Sequence, residues 1–141
     1  MVKGLEKHVE LTQQVIAACY EVHKILGPGL EERFYRDALM HELELRGLTV
    51  QREQDFIVEY KGKQLGLHRI DLIVEKTVLI ELKAVTGKLL DVHVAQTISE
   101  RNVTHLPVAL LVNFGDTSVQ VRRLESRDST NQKPKENPQI P

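Results

Sequence analysis

Residues 78–84 read Val-Leu-Ile-Glu-Leu-Lys-Ala, an apolar strand-like segment with two charges inside it. A second apolar run, Val108 to Val112, follows Pro107. Neither begins with the apolar/polar alternation of a strand that has one wet face, so burial on both faces is expected. A sheet of that kind has helices layered against it. The two charges then become the informative residues. Side chains alternate along a strand, which puts Glu81 and Lys83 on one face and Leu82 on the other. Unpaired charges in a buried strand are costly, so such groups persist where they pair, bind a metal or line a cleft.

The rest of the chain supplies the layers. Leu11, Val15, Ala18, Val22 and Ile25 recur at a 4-3-4-3 spacing that predicts one helical face, and Gly27-Pro28-Gly29 ends the helix. A second helix is expected from about Leu30 to Arg46, with Phe34, Ala38 or Leu39, Met40, Leu43 and Leu45 as its apolar residues and Gly47 as its stop. Phe56–Tyr60 reads as a strand, Lys61-Gly62-Lys63 as a turn and Leu65–Val74 as a second strand. Glu75-Lys76-Thr77 leads into the third, giving an antiparallel meander. Asp91 to about Thr104 fits a helix with Val92, Ala95 and Ile98 on its packed side, and Ser118–Leu124 alternates as an edge strand. The predicted order is ααβββαββ, an α/β sandwich in which helices flank a mixed sheet.

Length and composition narrow the classes further. The 141 residues suit one domain, 1–125, with a folded unit from about residue 5. The last sixteen residues, Ser126–Pro141, hold three of the five prolines and only Ile140 as a large apolar side chain, so a disordered tail is expected. No internal repeat is present. One cysteine, Cys19, permits no internal disulfide, and no Cys/His cluster has zinc spacing. The longest apolar runs fall far short of a membrane span, and the charged N-terminus lacks a signal-peptide apolar region. A cytoplasmic protein without a membrane partner is expected. Net charge is −1, which gives no bulk pull toward nucleic acid, although residues 46–88 carry +2 against −3 for residues 1–45.

The second strand places a carboxylate of its own, Asp71, inside the run Ile70-Asp71-Leu72-Ile73-Val74. If Glu75-Lys76-Thr77 is a three-residue loop, Val74 opposes Val78 and Asp71 opposes Glu81, with β-carbons about 4.5–5.5 Å apart. A two-residue loop would put the carboxylates on opposite faces. Two carboxylates so close repel unless a cation lies between them, and Mg²⁺ or Mn²⁺ suits an oxygen-only site that keeps several waters. Lys83 then brings positive charge near a metal-bound water. The same residues also allow a structural pairing, Asp71 with Lys83 and Glu81 with Arg69. At the helix junction, Gly29-x-x-Glu32-x-x-Tyr35 puts Glu32 and Tyr35 on one helical face. By themselves they fit a first-turn carboxylate favoured by the helix dipole and a core aromatic. His93 lies three residues before Gln96, so both can face the sheet, as a proton-transfer group or a hydrogen-bonded helix residue.

Taken together, the chain resembles the small bacterial GxxExxY proteins of the PD-(D/E)XK nuclease superfamily over about residues 10–124. The resemblance is carried by Leu26-Gly27-Pro28-Gly29-Leu30-Glu31-Glu32 with Tyr35, by Tyr60-Lys61-Gly62, Arg69-Ile70-Asp71 and Ile80-Glu81-Leu82-Lys83-Ala84. Val92-His93-x-Ala95-Gln96 and Leu111-Val112-Asn113-Phe114-Gly115 complete it. It implies a restriction-endonuclease-like sandwich in which Asp71 and Glu81 are metal ligands and Lys83 orients or activates the attacking water. It further implies that Glu32 is an additional acidic group at the metal and that Gln96 stands near the site. Related members often carry tyrosine four residues after that glutamine; here the position is Glu100.

Three functions fit these residues. The first is a Mg²⁺- or Mn²⁺-dependent nuclease hydrolysing phosphodiester bonds in DNA or RNA. The second is a non-catalytic nucleic-acid-binding or protein-interaction module that keeps the nuclease fold. The third is a homodimeric toxin-like or regulatory component whose dimer surface is the first helix.

Overall fold

The computed structural model describes residues 3–125, with side chains from residue 8 onward. The tail expected at Ser126–Pro141 lies outside the described residues. Helix α1, Lys3–Leu26, stops at Gly27, whose φ of 68° lies in the left-handed region that favours glycine. Helix α2, Glu32–Leu45, follows a short turn. Val15, Ala18, Cys19 and Val22 of α1 and Tyr35, Leu39 and Leu43 of α2 are buried together, so the two helices form one layer.

Five strands form the sheet: β1 Val50–Tyr60, β2 Lys63–Val74, β3 Val78–Lys83, β4 Val108–Asn113 and β5 Gln120–Glu125. Their spatial order is their chain order. All neighbours are antiparallel except β3 and β4, which run parallel and are joined through helix α3, Asp91–Thr104. The element order ααβββαββ and the α/β sandwich match the expectation. The three-residue loop holds too, because Val74 pairs with Val78.

The sheet has two unequal apolar faces. Leu72, Val74, Val78, Ile80, Leu82, Val108, Leu110 and Val112 pack under α1 and α2. The α3 face has a smaller apolar core: Phe56, Ile70, Ile73, Leu79, Leu106 and Ala109. Glu81 and Lys83 occupy the rest of that face, and their surroundings decide how α3 lies.

Several helix residues point otherwise than their periodicity suggests. The expected packed side of α3 (Val92, Ala95, Ile98) is exposed, whereas Thr97, Glu100 and Thr104 are buried. Apolar periodicity finds the inward face only when the opposing surface is apolar, and here the sheet presents charges. Ile25, Phe34 and Leu45 are also exposed, being at helix ends or beyond the sheet-facing stripe. Strand β1 begins at Val50 rather than Phe56: Gln51–Asp55 is polar because β1 is an edge strand paired only with β2.

Candidate active site

Asp71 sits where the β2–β3 ladder ends. That ladder runs from Val74↔Val78 to Leu72↔Ile80 and continues no further, so the direct Asp71–Glu81 pairing expected from the loop length is not formed. Instead, Oδ2 of Asp71 accepts the Leu82 amide at 3.0 Å, and the side chain bridges the opening between the strands. On the other side, Glu53 adopts a φ of 52° between the pairs Arg52↔Leu72 and Gln54↔Ile70. Ile70 packs on the α3 side and Leu72 on the α1/α2 side, so strict alternation is broken across Asp71. The carboxylate therefore lies in a fork of the sheet, and its charge is felt by Glu32 from α2 and by Glu81 from β3.

Glu81 is buried, and Lys83 stands beside it on the same face, Nζ 3.4 Å from Oε2. Gln96 of α3 joins the two. Its Nε2 donates to Glu81 Oε2 at 3.0 Å, while its Oε1 accepts from Lys83 Nζ at 3.2 Å. Neither alternative ion pair forms as suggested: the carboxylate beside Lys83 is Glu81, and Arg69 pairs with Asp55 at 3.2 Å.

Burial, the Asp71 charge and the neighbouring Glu100 push the Glu81 carboxyl up to about 9, with Lys83 opposing them. Glu32 is raised as well, by burial first and then by Asp71, against Lys83 and Arg36. The structure thus brings Glu32, Asp71, Glu81, Lys83 and Gln96 into one electrostatic neighbourhood. Negative charge exceeds what one lysine balances, and the donors are carboxylate oxygens. Among the described residues no three His, Cys, Asp or Glu side chains form a ready-made cage. A hard divalent ion that keeps most of its waters needs only one or two carboxylates, so the donor set fits Mg²⁺ or Mn²⁺.

The Gly29–Tyr35 and Asn113–Gly115 motifs have structural duties around this centre. Tyr35 is fully buried, stacks on Phe114 at 4.9 Å between centroids, and clamps the turn before α2: its hydroxyl donates to the Gly27 carbonyl and accepts from the Leu30 amide at 3.1 Å. That clamp sets where α2 begins, and with it Glu32. Behind β3, Asn113 Oδ1 accepts from the Val85 and Gly115 amides at 2.9 and 3.0 Å, and Nδ2 donates to the Val85 carbonyl at 3.0 Å. A Cβ on Gly115 would meet Ala84 and Val85 backbone at 2.5 Å, so only glycine lets β4 approach the chain just after Lys83. His93 proves to be a cap: Leu90 N donates to its Nδ1 at 3.0 Å, at the start of α3.

Glu100 is the residue that pattern reading undervalued. It is only 3% exposed, accepts from His68 Nε2 at 2.6 Å through Oε2, and stands beside Glu81. Its four-residue spacing from Gln96 was the available signal, since such a pair shares a helical face. His68 carried no comparable signal, and Asn113 and Gly115 stood out only as part of the Leu111–Gly115 motif, with no role attached. Two of the three comparisons with known proteins are empty: no curated protein and no solved structure matches the chain. The family model described as PD-(D/E)XK nuclease superfamily matches residues 9–124, nearly all of the folded part. With that match spanning the fork at Asp71, the Glu81–Lys83 strand and the helix bearing Gln96, the chain belongs to the PD-(D/E)XK nuclease superfamily.

Proposed function

We propose that this protein is a divalent-metal-dependent nuclease that hydrolyses phosphodiester bonds in DNA or RNA. The observation that carries the reading is the Glu81–Lys83–Gln96 triangle set beside Asp71 in the opening between β2 and β3. Asp71 and Glu81, with Glu32 reaching in from α2, would hold Mg²⁺ or Mn²⁺. What the bound ion supplies is polarisation of a phosphoryl oxygen and a lower pKa for an attacking water. Lys83 places a compact positive charge where negative charge develops on the phosphate and its nucleophile. Gln96 fixes both partners: one end of its amide holds Glu81 Oε2, the other holds the lysine ammonium. The finer placement among GxxExxY proteins rests on Gly29, Glu32 and Tyr35. Cys19 is fully buried and its thiol is pushed up to about 12 by that burial, which suits an inert side chain in the reducing cytoplasm.

Calorimetry with Mn²⁺, paired with a cleavage panel of single- and double-stranded DNA and RNA, tests the reading. The nuclease binds Mn²⁺ in a manner abolished by Asp71→Asn and cleaves at least one substrate class. A non-catalytic module would bind nucleic acid and leave every substrate intact.

A further inference from the structure

Strand β2 carries a row of side chains that the reaction proposed above does not use. Leu65, Leu67 and Arg69 are spaced two apart and lead to Asp71 at the fork. On the paired strand, Ile57 faces Leu67 and Asp55 faces Arg69. The neighbouring Phe56 and His68 point to the α3 side, Phe56 into its core and His68 onto Glu100. Alternation therefore puts Ile57, Leu67 and Arg69 on the side of α1 and α2. The α1/α2 core takes only Leu72 and Val74 from β2. Leu65 and Leu67 stand beyond it, 60% and 62% exposed. An exposed apolar patch beside a functional centre marks a binding surface.

The hairpin gives this patch its shape. Its register shifts between Val58 and Glu59: Val58 faces Gly66 and Glu59 faces Gln64, so Leu65 is an extra residue in a bulge. Ile57, Gln64, Leu65, Gly66 and Leu67 line a concavity of about 260 Å³. A Cβ at Gly66 would meet no atom within 4 Å, so the missing side chain leaves that space open. Aliphatic walls with a single amide suit the face of a flat ring, packed by dispersion. Arg69 stands between the concavity and Asp71. Its Nε donates to Asp55 Oδ1 at 3.2 Å, its side chain is 63% exposed, and a guanidinium has donors to spare for a phosphate. Residues 56–67 also bring Lys61 and Lys63 against one acid, Glu59. The row thus presents an apolar seat, then a phosphate-binding charge, then the carboxylate of the site.

We propose that this concavity seats an unpaired base of a single-stranded polynucleotide while Arg69 holds the backbone phosphate on the way to Asp71. Single strands are then the substrate class. A base inside a duplex has both faces stacked and its edge paired, so it offers the concavity nothing, whereas an unstacked base offers its whole face. The proposal rests on the nuclease reading of the Asp71, Glu81 and Lys83 centre. It adds a second contact about 13 Å along β2 from Asp71, the length of four strand residues.

The test is fluorescence anisotropy of the full chain in EDTA, with labelled oligothymidylate as the single strand and its duplex with oligoadenylate as the comparison. The wild type is expected to bind the single strand more tightly. Leu65→Ser combined with Leu67→Ser, at exposed positions, should weaken single-strand binding by about tenfold or more and leave duplex binding unchanged. Arg69→Gln should lower the salt dependence of binding by about one phosphate contact. Oligouridylate serves as a second single strand, because the base face is common to DNA and RNA, and weakening on either supports the proposal. Unchanged single-strand affinity in the double variant overturns it, as does a wild type that prefers the duplex or binds neither. Sedimentation of the same samples identifies a second copy on this face. A dimer dissociated by the two serines, with single-strand affinity unchanged, overturns the proposal. Should the double variant fail to fold, photo-crosslinking of wild type to 4-thiothymidine strands takes its place. Adducts within residues 57–67 support the seat, and adducts confined elsewhere overturn it. Cleavage assays with Mn²⁺ separate the two readings: cutting of duplex alone overturns the single-strand seat and keeps the nuclease, whereas seat-dependent binding with no cleavage does the reverse.

Discussion

Burial, the Asp71 charge and the neighbouring Glu100 all favour the neutral form of Glu81 in the metal-free protein. Its folded value is raised from 4.5 to about 9, so the stability linked to this carboxyl is complete below pH 4.5 and is lost as pH rises toward 9. Melting of the metal-free protein is therefore expected to fall between pH 5 and pH 8. Glu81→Gln should flatten that slope and raise Tm at pH 8 by on the order of 5 °C; thermal scans at the two pH values read it directly. Asp71 behaves differently, because its carboxylate accepts the buried Leu82 amide. Asp71→Ala leaves that donor without a partner and should cost about 1–3 kcal/mol in denaturant melts, in addition to abolishing Mn²⁺ binding. The sequence alone made the identity of these residues legible, since charges inside apolar strands are conspicuous. Their contacts were not, because alternation describes regular strands and Asp71 lies where the β2–β3 pairing stops.

At the scale of elements, α3 shows how far an amphipathic pattern can be trusted. Its apolar residues Val92 and Ile98 face outward while Thr97 is fully buried, its hydroxyl bonded to the His93 carbonyl. Ile98→Glu should therefore change stability by no more than about 0.5 kcal/mol, whereas Thr97→Glu should cost about 3 kcal/mol or more by burying an unpaired charge. Urea melts of the two variants distinguish this orientation from the reverse one. The order of elements and both doubly buried strands could be read from turn residues and apolar runs, because these are local signals. The packed side of α3 could not, since it depends on Glu81 and Lys83 across the interface. Gly115 tests the join between β4 and the segment after Lys83. Gly115→Ala forces its Cβ into Ala84 and Val85 backbone and should lower stability by about 1–3 kcal/mol, with a loss of cleavage beyond what the fraction folded explains.

Across the whole molecule, the two helical layers have separate duties. The α1/α2 side holds the larger apolar core and delivers Glu32 through the Tyr35 clamp, while the α3 side gives up apolar packing to hold Gln96 and Glu100 against the sheet. No helix among the described residues is long and apolar enough to cross a membrane. The central claim is that this arrangement performs catalysis beyond holding a cation, and Lys83 separates the two. In the proposed reading its ammonium is no metal ligand, and a divalent ion bound nearby would be slightly opposed by like-charge repulsion. The most direct measurement is the single-turnover cleavage rate at saturating Mn²⁺ for the wild type and Lys83→Ala, with Mn²⁺ affinity determined on the same samples. The account predicts equal or tighter Mn²⁺ binding in Lys83→Ala and a rate lower by about a hundredfold or more. Lys83→Arg should restore it only in part, because a planar guanidinium cannot set a compact charge at the same point. Cleavage by Lys83→Ala at the wild-type rate would contradict the account.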